Sequence, residues 1–234
     1  MGRNHAALGA VICLGIGRTM GLSTQLLLAS TICVSGAALL PDIDEQGSTV
    51  AHLFEPISGF VAHITNKMMG GHRMGTHSLV GVCLIGTALW ISTLFKFGHI
   101  EVIAPCALVS ICATLMIRAS VPALFRPSKI VSLALGVGVS YAIYRYVGLG
   151  FVPLAVTLGW GTHLLGDMLT RGGVPFLWPF SRDHFEMAIL KRTNSVRERV
   201  FGICLALMSI LLGWREIILL LSMIGARLRI SNYF

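Results

Sequence analysis

The chain has 234 residues, 55% of them hydrophobic and 12% charged, with a mean hydropathy of +0.79. A soluble domain carries about 25% charged residues, so the composition excludes an ordinary soluble fold and predicts one all-α domain over 1–234, a polytopic transmembrane helix bundle. The net charge of +8 comes with no basic stripe interleaved with aromatics, which excludes a nucleic-acid partner; the excess cations fit loops that set topology and meet membrane lipids.

In chain order, apolar segments fall at 6–17, 22–40, 78–95, 102–117, 130–144, 147–165, 200–214 and 217–226. They predict about six to eight membrane segments, some short or re-entrant. The first follows Arg3 like a signal peptide, but no small-residue cleavage site follows, so a retained helix is expected. The last two are either separate segments or one bent helix interrupted at Arg215 and Glu216. Two polar insertions, 41–77 and 166–199, separate the apolar runs. Cys13, Cys33, Cys83, Cys106, Cys112 and Cys204 form no CxxC pair and lie almost entirely in apolar runs, so no disulfide framework is expected.

If all eight segments cross, only Arg18, Lys96, Arg145 and Arg215 lie on one side. The remaining lysines and arginines of the 18 lie on the other. The positive-inside bias makes the richer side cytoplasmic and puts both termini there. Nothing in the pattern fixes an oligomeric state.

The ligand-type side chains gather at that same edge. His5 precedes the first segment, "LLPDIDE" ends the second with Asp42 and Asp44, "GHRMGTHS" opens the third with His72 and His77, and "GTHLLGDMLT" ends the sixth with His163 and Asp167. His163 and Asp167, four apart, share a helix face. Pro41 disfavours helix at Leu40, so the chain breaks there and presents both acids. Gly70, Gly71 and Gly75 predict a loop that turns both histidines inward, with Thr76 or Ser78 capping the next helix. A buried membrane-edge carboxylate is costly unless paired or bound to a cation. Mixed histidine and carboxylate donors suit a divalent metal, zinc or manganese (or iron), rather than calcium. Seven candidates exceed the four ligands of one zinc, so the site is dinuclear or some of them support the others. His52, His63, His99 and His184 are read as ordinary interfacial residues. "TRGGVPFLWPFS" (170–181), with Phe176, Trp178 and Phe180, reads as a membrane-skimming loop over the site or as an aromatic anchor. Asn194 or Ser195 with Glu198 reads as a capping box.

"LLPDID", "HRMGTHSL" and "HLLGDMLTRGGVPFLWPFS", together with His5, resemble the YdjM-like family of bacterial inner-membrane metal-dependent hydrolases, in matching order from His5 to about Ser181. The resemblance implies a metal-dependent hydrolase with Asp42, Asp44, His72, His77, His163 and Asp167 at the metal-site positions. Two positions depart from the family pattern: Glu45 stands where a histidine usually follows the acids, and the glycine after His-Arg is displaced to Gly75. The expected activity is metal-assisted hydrolysis of a lipid or lipid-linked phosphate. In it Glu45 serves as general base, Arg73 binds a phosphate oxygen, and His72 and His5 ligate or support the ligands. The alternatives are a cation transporter or channel, and a non-catalytic protein whose helix ends are stapled by metal. The acids sit at one edge and no internal repeat is visible, which favours neither a midplane pathway nor paired broken helices.

Overall fold

A computed structural model of the chain describes residues 2–95, 98–190 and 195–231, with side chains described up to residue 226. Lys96, Lys191, Arg192 and the alternative cap Asn194 lie outside the described residues. The described chain is helical throughout: α1 (Gly2–Thr19), α2 (Thr24–Ala37), α3 (Ile57–Met68), α4 (Leu79–Ser92), α5 (Ile100–Ser120), α6 (Lys129–Tyr146), α7 (Val152–Met168) and α8 (Val196–Ser231). Among the described residues the only β pairing is the isolated bridge of Val174 with Phe185. Three stretches are long and apolar enough to cross a membrane, Thr24–Asp44, Ile100–Ser120 and Val196–Ala226, and Leu79–Ser92 is a shorter apolar helix. Length and composition therefore identify fewer spans than the six to eight segments read from the sequence.

α2 is the centre of the bundle. It packs against α1, α5 and α7, while α6 packs on α5, α4 on α7 and α8 on α1. Small residues make this close packing possible. A Cβ at Gly36 would collide with the backbone of Cys112 on α5, and one at Gly159 of α7 would come within 2.6 Å of Val34 O and Ala37 Cβ on α2. Cys33, Val34, Ala37, Val109 and Cys112 are fully buried at the core. All six cysteines are free, as the sequence predicts. The outer helices instead turn apolar side chains outward: Leu84, Trp90, Ile103, Leu135 and Leu211 are all exposed. A helix hydrophobic on its outer face suits a lipid surrounding.

α8 decides between the two readings of the last apolar runs. The segments 200–214 and 217–226 form one unbroken helix, about 54 Å long at 1.5 Å per residue. Arg215 does not break it because its side chain is exposed, and Glu216, although buried, is neutralised by the Arg18 guanidinium at 3.4 Å and by the Thr24 hydroxyl at 2.7 Å. Near its start, Glu198 accepts from Asn4 at 3.0 Å. Residues 4 and 18 of α1 thus meet residues 198 and 216 of α8, so the two helices run parallel. The described chain beyond Glu216, as far as residue 231, continues away from the end where α1 begins.

The polar insertion 41–77 also contains a helix the sequence reading left out. In α3 the residues Ile57, Phe60, Val61, Ile64 and Met68 share one face at helical spacing, and all are exposed, while Ser58 and Ala62 on the other side are buried. Asn66 of α3 donates to the Asp44 carbonyl at 2.8 Å, so the helix braces the turn that carries the acids. Val50 and Leu53 of the same insertion pack with Ala6, Leu39, Leu115 and Ala119 into a small core beneath it.

Candidate metal centre

α2 ends at Ala37, and Pro41–Asp44 forms a 3-10 turn, as the proline predicts. The loop after α3 reverses through Gly70, Gly71 and Arg73, all with positive φ, into a second 3-10 turn at Gly75–His77. Ser78, not Thr76, caps α4, accepting from Gly81 N at 3.0 Å. Thr76 is thereby free to donate to Asp44. Trp160 of α7 fixes this loop by donating from Nε1 to the Thr76 carbonyl at 2.8 Å. With α1 and α7 alongside, the two loops bring all seven candidate ligands into one cluster.

At its centre, Nε2 of His77 and Nε2 of His163 are 3.0 Å apart. Each is 3.6 Å from Asp42 Oδ1 and 3.6 Å from Asp167 Oδ2. Metal–ligand bonds near 2.1 Å put tetrahedral donors about 3.4 Å apart, and the five spacings bracket that edge length. The far nitrogens of both rings are oriented as ligand histidines require. His163 Nδ1 lies 2.7 Å from the Ala38 carbonyl, which only accepts, so the proton sits there and the Nε2 lone pair faces inward. His77 Nδ1 lies 3.3 Å from Asp44 Oδ2. Two inward imidazole nitrogens and two carboxylates facing one another require positive charge among them, a proton on His77 or a metal ion in its place. Asp167 Oδ2 is buried and, among the described residues, has no hydrogen-bond partner. That orphaned oxygen and the donor set fit a divalent cation.

The remaining candidates surround these donors. Asp44 is fully buried and both of its oxygens are occupied: Oδ1 meets His72 Nδ1 at 2.8 Å, and Oδ2 accepts from Arg73 N at 3.2 Å and from Thr76. It faces the back of His77 and orients that ring. His72 spans Asp44 and Glu45, its Nε2 3.4 Å from Glu45 Oε2. His5 stacks on His163 with ring centroids 4.1 Å apart and reaches Asp167 Oδ1 at 3.4 Å, while its Nδ1 is buried without a partner among the described residues. A Cβ at position 166 would lie 2.5 Å from that nitrogen, so Gly166 is what admits His5. Arg73 donates from Nη2 to Asp167 Oδ1 at 3.2 Å. Candidate ligand atoms of His5, His163 and Asp167, and those of Asp42, His72 and His77, each lie within 4.8 Å of one another. His77 lies outside the α-helices: burial opposes its charge, but Asp42 and Asp44 outweigh burial and raise its pKa from 6.5 to about 9.

The centre is not sealed. The Asp42 side chain is 25% exposed, against 0% for His77 and His163 and 2% for Asp167. A cavity of about 370 Å³ opens on it, lined by Asp42, Glu45, His72 and Arg73 among others. Segment 170–181 closes the opposite side. The Phe176 carbonyl accepts from Leu79 N at 3.0 Å, and the Trp178 ring lies against Gly75, so the segment braces the loop that carries His77; Phe180 is exposed. Ser195 caps α8 through Glu198 N at 3.2 Å. His52, His63, His99 and His184 are exposed and away from the cluster. The sequence reading missed the Ala38 carbonyl and Trp160. The first is a helix-end carbonyl left without a partner ahead of Pro41; the second is marked only by its place three residues before His163.

No curated protein and no solved structure matches the chain. The YdjM inner membrane protein family matches residues 1–231. The match covers all seven converging side chains and all eight helices, and the chain belongs to the YdjM inner membrane protein family.

Proposed function

We propose that this inner membrane protein is a metal-dependent hydrolase whose centre acts at the membrane edge on a lipid or lipid-linked phosphate. The observation that carries the reading is the four-donor set of His77, His163, Asp42 and Asp167, with its one exposed member facing a cavity. A structural zinc is closed by its four ligands, whereas a catalytic one keeps a position open to substrate. Asp42 is the solvent-facing member of the four residues that would hold the metal. A divalent cation, zinc or manganese, would polarise an ester oxygen there and lower the pKa of water toward neutrality. Arg73 holds Asp167 and presents its guanidinium at the cavity wall, where a planar donor fork suits a phosphate oxygen. Glu45 stands at the same cavity with a 45% exposed side chain and serves as the base that takes a proton from water. Asp44 and Ala38 keep the two imidazoles turned inward, and His72 ties Asp44 to Glu45.

Depth supports an amphiphilic substrate. The centre lies where α1, α4, α6 and α8 begin and α2, α5 and α7 end. With α8 unbroken, these seven helices cross once each, α3 lies along the surface with its apolar face in lipid, and Arg227 and Arg229 join Arg18 and Arg145 on the far side. Arg3, Lys67, Arg73, Arg118, Arg126, Arg171, Arg182, Arg197 and Arg199 stay with the centre, which makes that side cytoplasmic.

The deciding measurement is metal content of the purified protein together with turnover on phospholipids and phosphomonoesters, for wild type and His77→Ala. Bound metal with metal-dependent turnover in wild type, both lost in the variant, is the expected result. A wild type without metal removes the centre; bound metal with no turnover on any substrate leaves the metal as a staple of helix ends.

A further inference from the structure

A second cavity of about 430 Å³ adjoins the first; the two share Gly2, Leu39 and Thr49 in their walls. Four arginines from separate parts of the chain line it: Arg3 of α1, Arg118 near the end of α5, Arg126 of the α5–α6 link and Arg199 of α8. Its single carboxylate, Glu198, already accepts from Asn4. Arg3 reaches the Val121 carbonyl at 3.4 Å, and Arg118 reaches the Pro127 carbonyl at 3.3 Å and Ser132 Oγ at 3.5 Å. Nε of Arg126 is buried with no hydrogen-bond partner among the described residues. No ion pair joins any of the four to a carboxylate among the described residues.

Arginines that only set topology extend outward, each into its own water or headgroup. Here four arginines line one concavity, Arg118 and Arg126 half-buried and Arg3 and Arg199 exposed, so like charge is gathered there and at least one buried N–H is unmet. An anion with several acceptor oxygens relieves both costs, and phosphate matches the guanidinium fork. The volume falls within the range of small-molecule sites. Resting on the hydrolase reading for the role of the neighbouring centre, we propose that this cavity is an anion subsite that holds a phosphate group of the substrate while the bond to be cut lies at the metal. The substrate class is then narrowed to lipids or lipid-linked molecules that carry a phosphate apart from the scissile bond.

The test uses the full chain in a non-ionic detergent, loaded with zinc, and three probes: inorganic phosphate, dihexanoyl phosphatidic acid and dihexanoyl phosphatidylcholine. Affinity is read from tryptophan fluorescence, and metal content from elemental analysis. Phosphatidic acid is expected to bind more tightly than phosphatidylcholine and to lose about tenfold or more in affinity in Arg126→Gln, the loss of a charge-assisted bond, with metal content unchanged. Phosphate losing affinity in the same variant while binding as tightly as phosphatidic acid identifies a free anion as the occupant; tighter phosphatidic acid identifies a lipid. His77→Ala keeps arginine-dependent phosphate binding if the subsite is separate from the metal, whatever becomes of the hydrolase reading. Arg3→Gln, at an exposed side chain, repeats the test should Arg126→Gln not fold. Equal affinity of wild type and both folded variants for phosphate and phosphatidic acid overturns the proposal.

Discussion

At His77 the proposed metal ion would compete with a proton for one nitrogen. Its pKa is raised to about 9 from 6.5, because Asp42 and Asp44 outweigh the burial that opposes its charge. Without metal, the charged ring stabilises the fold fully below about pH 6.5, and that contribution is lost as pH rises through about 9. Metal binding has the opposite trend, since it must displace the proton. Apparent metal affinity should rise about tenfold per pH unit up to about 9 and level off above it, with one proton released, as measured by calorimetry in buffers of differing ionisation enthalpy. A flat profile between pH 7 and 9 would mean that His77 is not a ligand. Asp44 and Asp167 should separate in the same assay. Asp167→Asn removes an inward donor and should abolish stoichiometric binding. Asp44→Asn only loosens the hold on His77 and should weaken binding about 10–100-fold while keeping full occupancy at saturating metal. Motif spacing made these residues legible as one group. It did not show that Asp44 stands behind a histidine, because which way a carboxylate turns depends on Thr76 and the Arg73 amide, both brought in by the loop.

At the scale of elements, helix contacts rest on missing side chains. Gly159 faces the backbone of α2, so Gly159→Ala forces two helices apart and should cost about 1–3 kcal/mol of stability. Gly15→Ala, with nothing within 4 Å of the added methyl, should be close to neutral or slightly stabilising. Thermal unfolding of both variants in detergent checks the contrast, and an equal loss at the two positions would show that close packing at Gly159 is not what matters. α3 and α8 show why elements were partly misread. Apolar run length finds a helix such as α5 but passes over α3, whose apolar residues are spread at helical spacing among polar ones. The charged pair at 215–216 resembled a break because the sequence does not reveal that Arg18 and Thr24 stand opposite Glu216.

Across the whole molecule, α8 sets the sidedness. α1 and α8 begin together and run parallel, so an N-terminal tag and a C-terminal tag should lie on opposite faces of the membrane. An alkaline phosphatase fused after residue 231 should be active, and one fused after residue 190 inactive, since the enzyme folds only outside the cytoplasm. Activity in neither fusion would show that α8 fails to cross. The two cavities give the same end of the bundle a chemical direction: a candidate metal centre with Asp42 at its opening, beside a chamber lined by arginines.

The sequence by itself determined the solvent and the chemistry. Its scarcity of charge requires lipid around the helices. Its few acids and histidines, placed at the ends of apolar runs, require a cation or a partner, because an unpaired charge at that depth is too costly to keep. Tertiary structure alone decided which oxygen and which ring nitrogen face inward, that the last two apolar runs are one helix, and that arginines from four distant positions share a cavity. Those outcomes depend on contacts between residues far apart in the chain, such as Arg18 with Glu216, 198 positions away, and no local pattern encodes a distance of that kind.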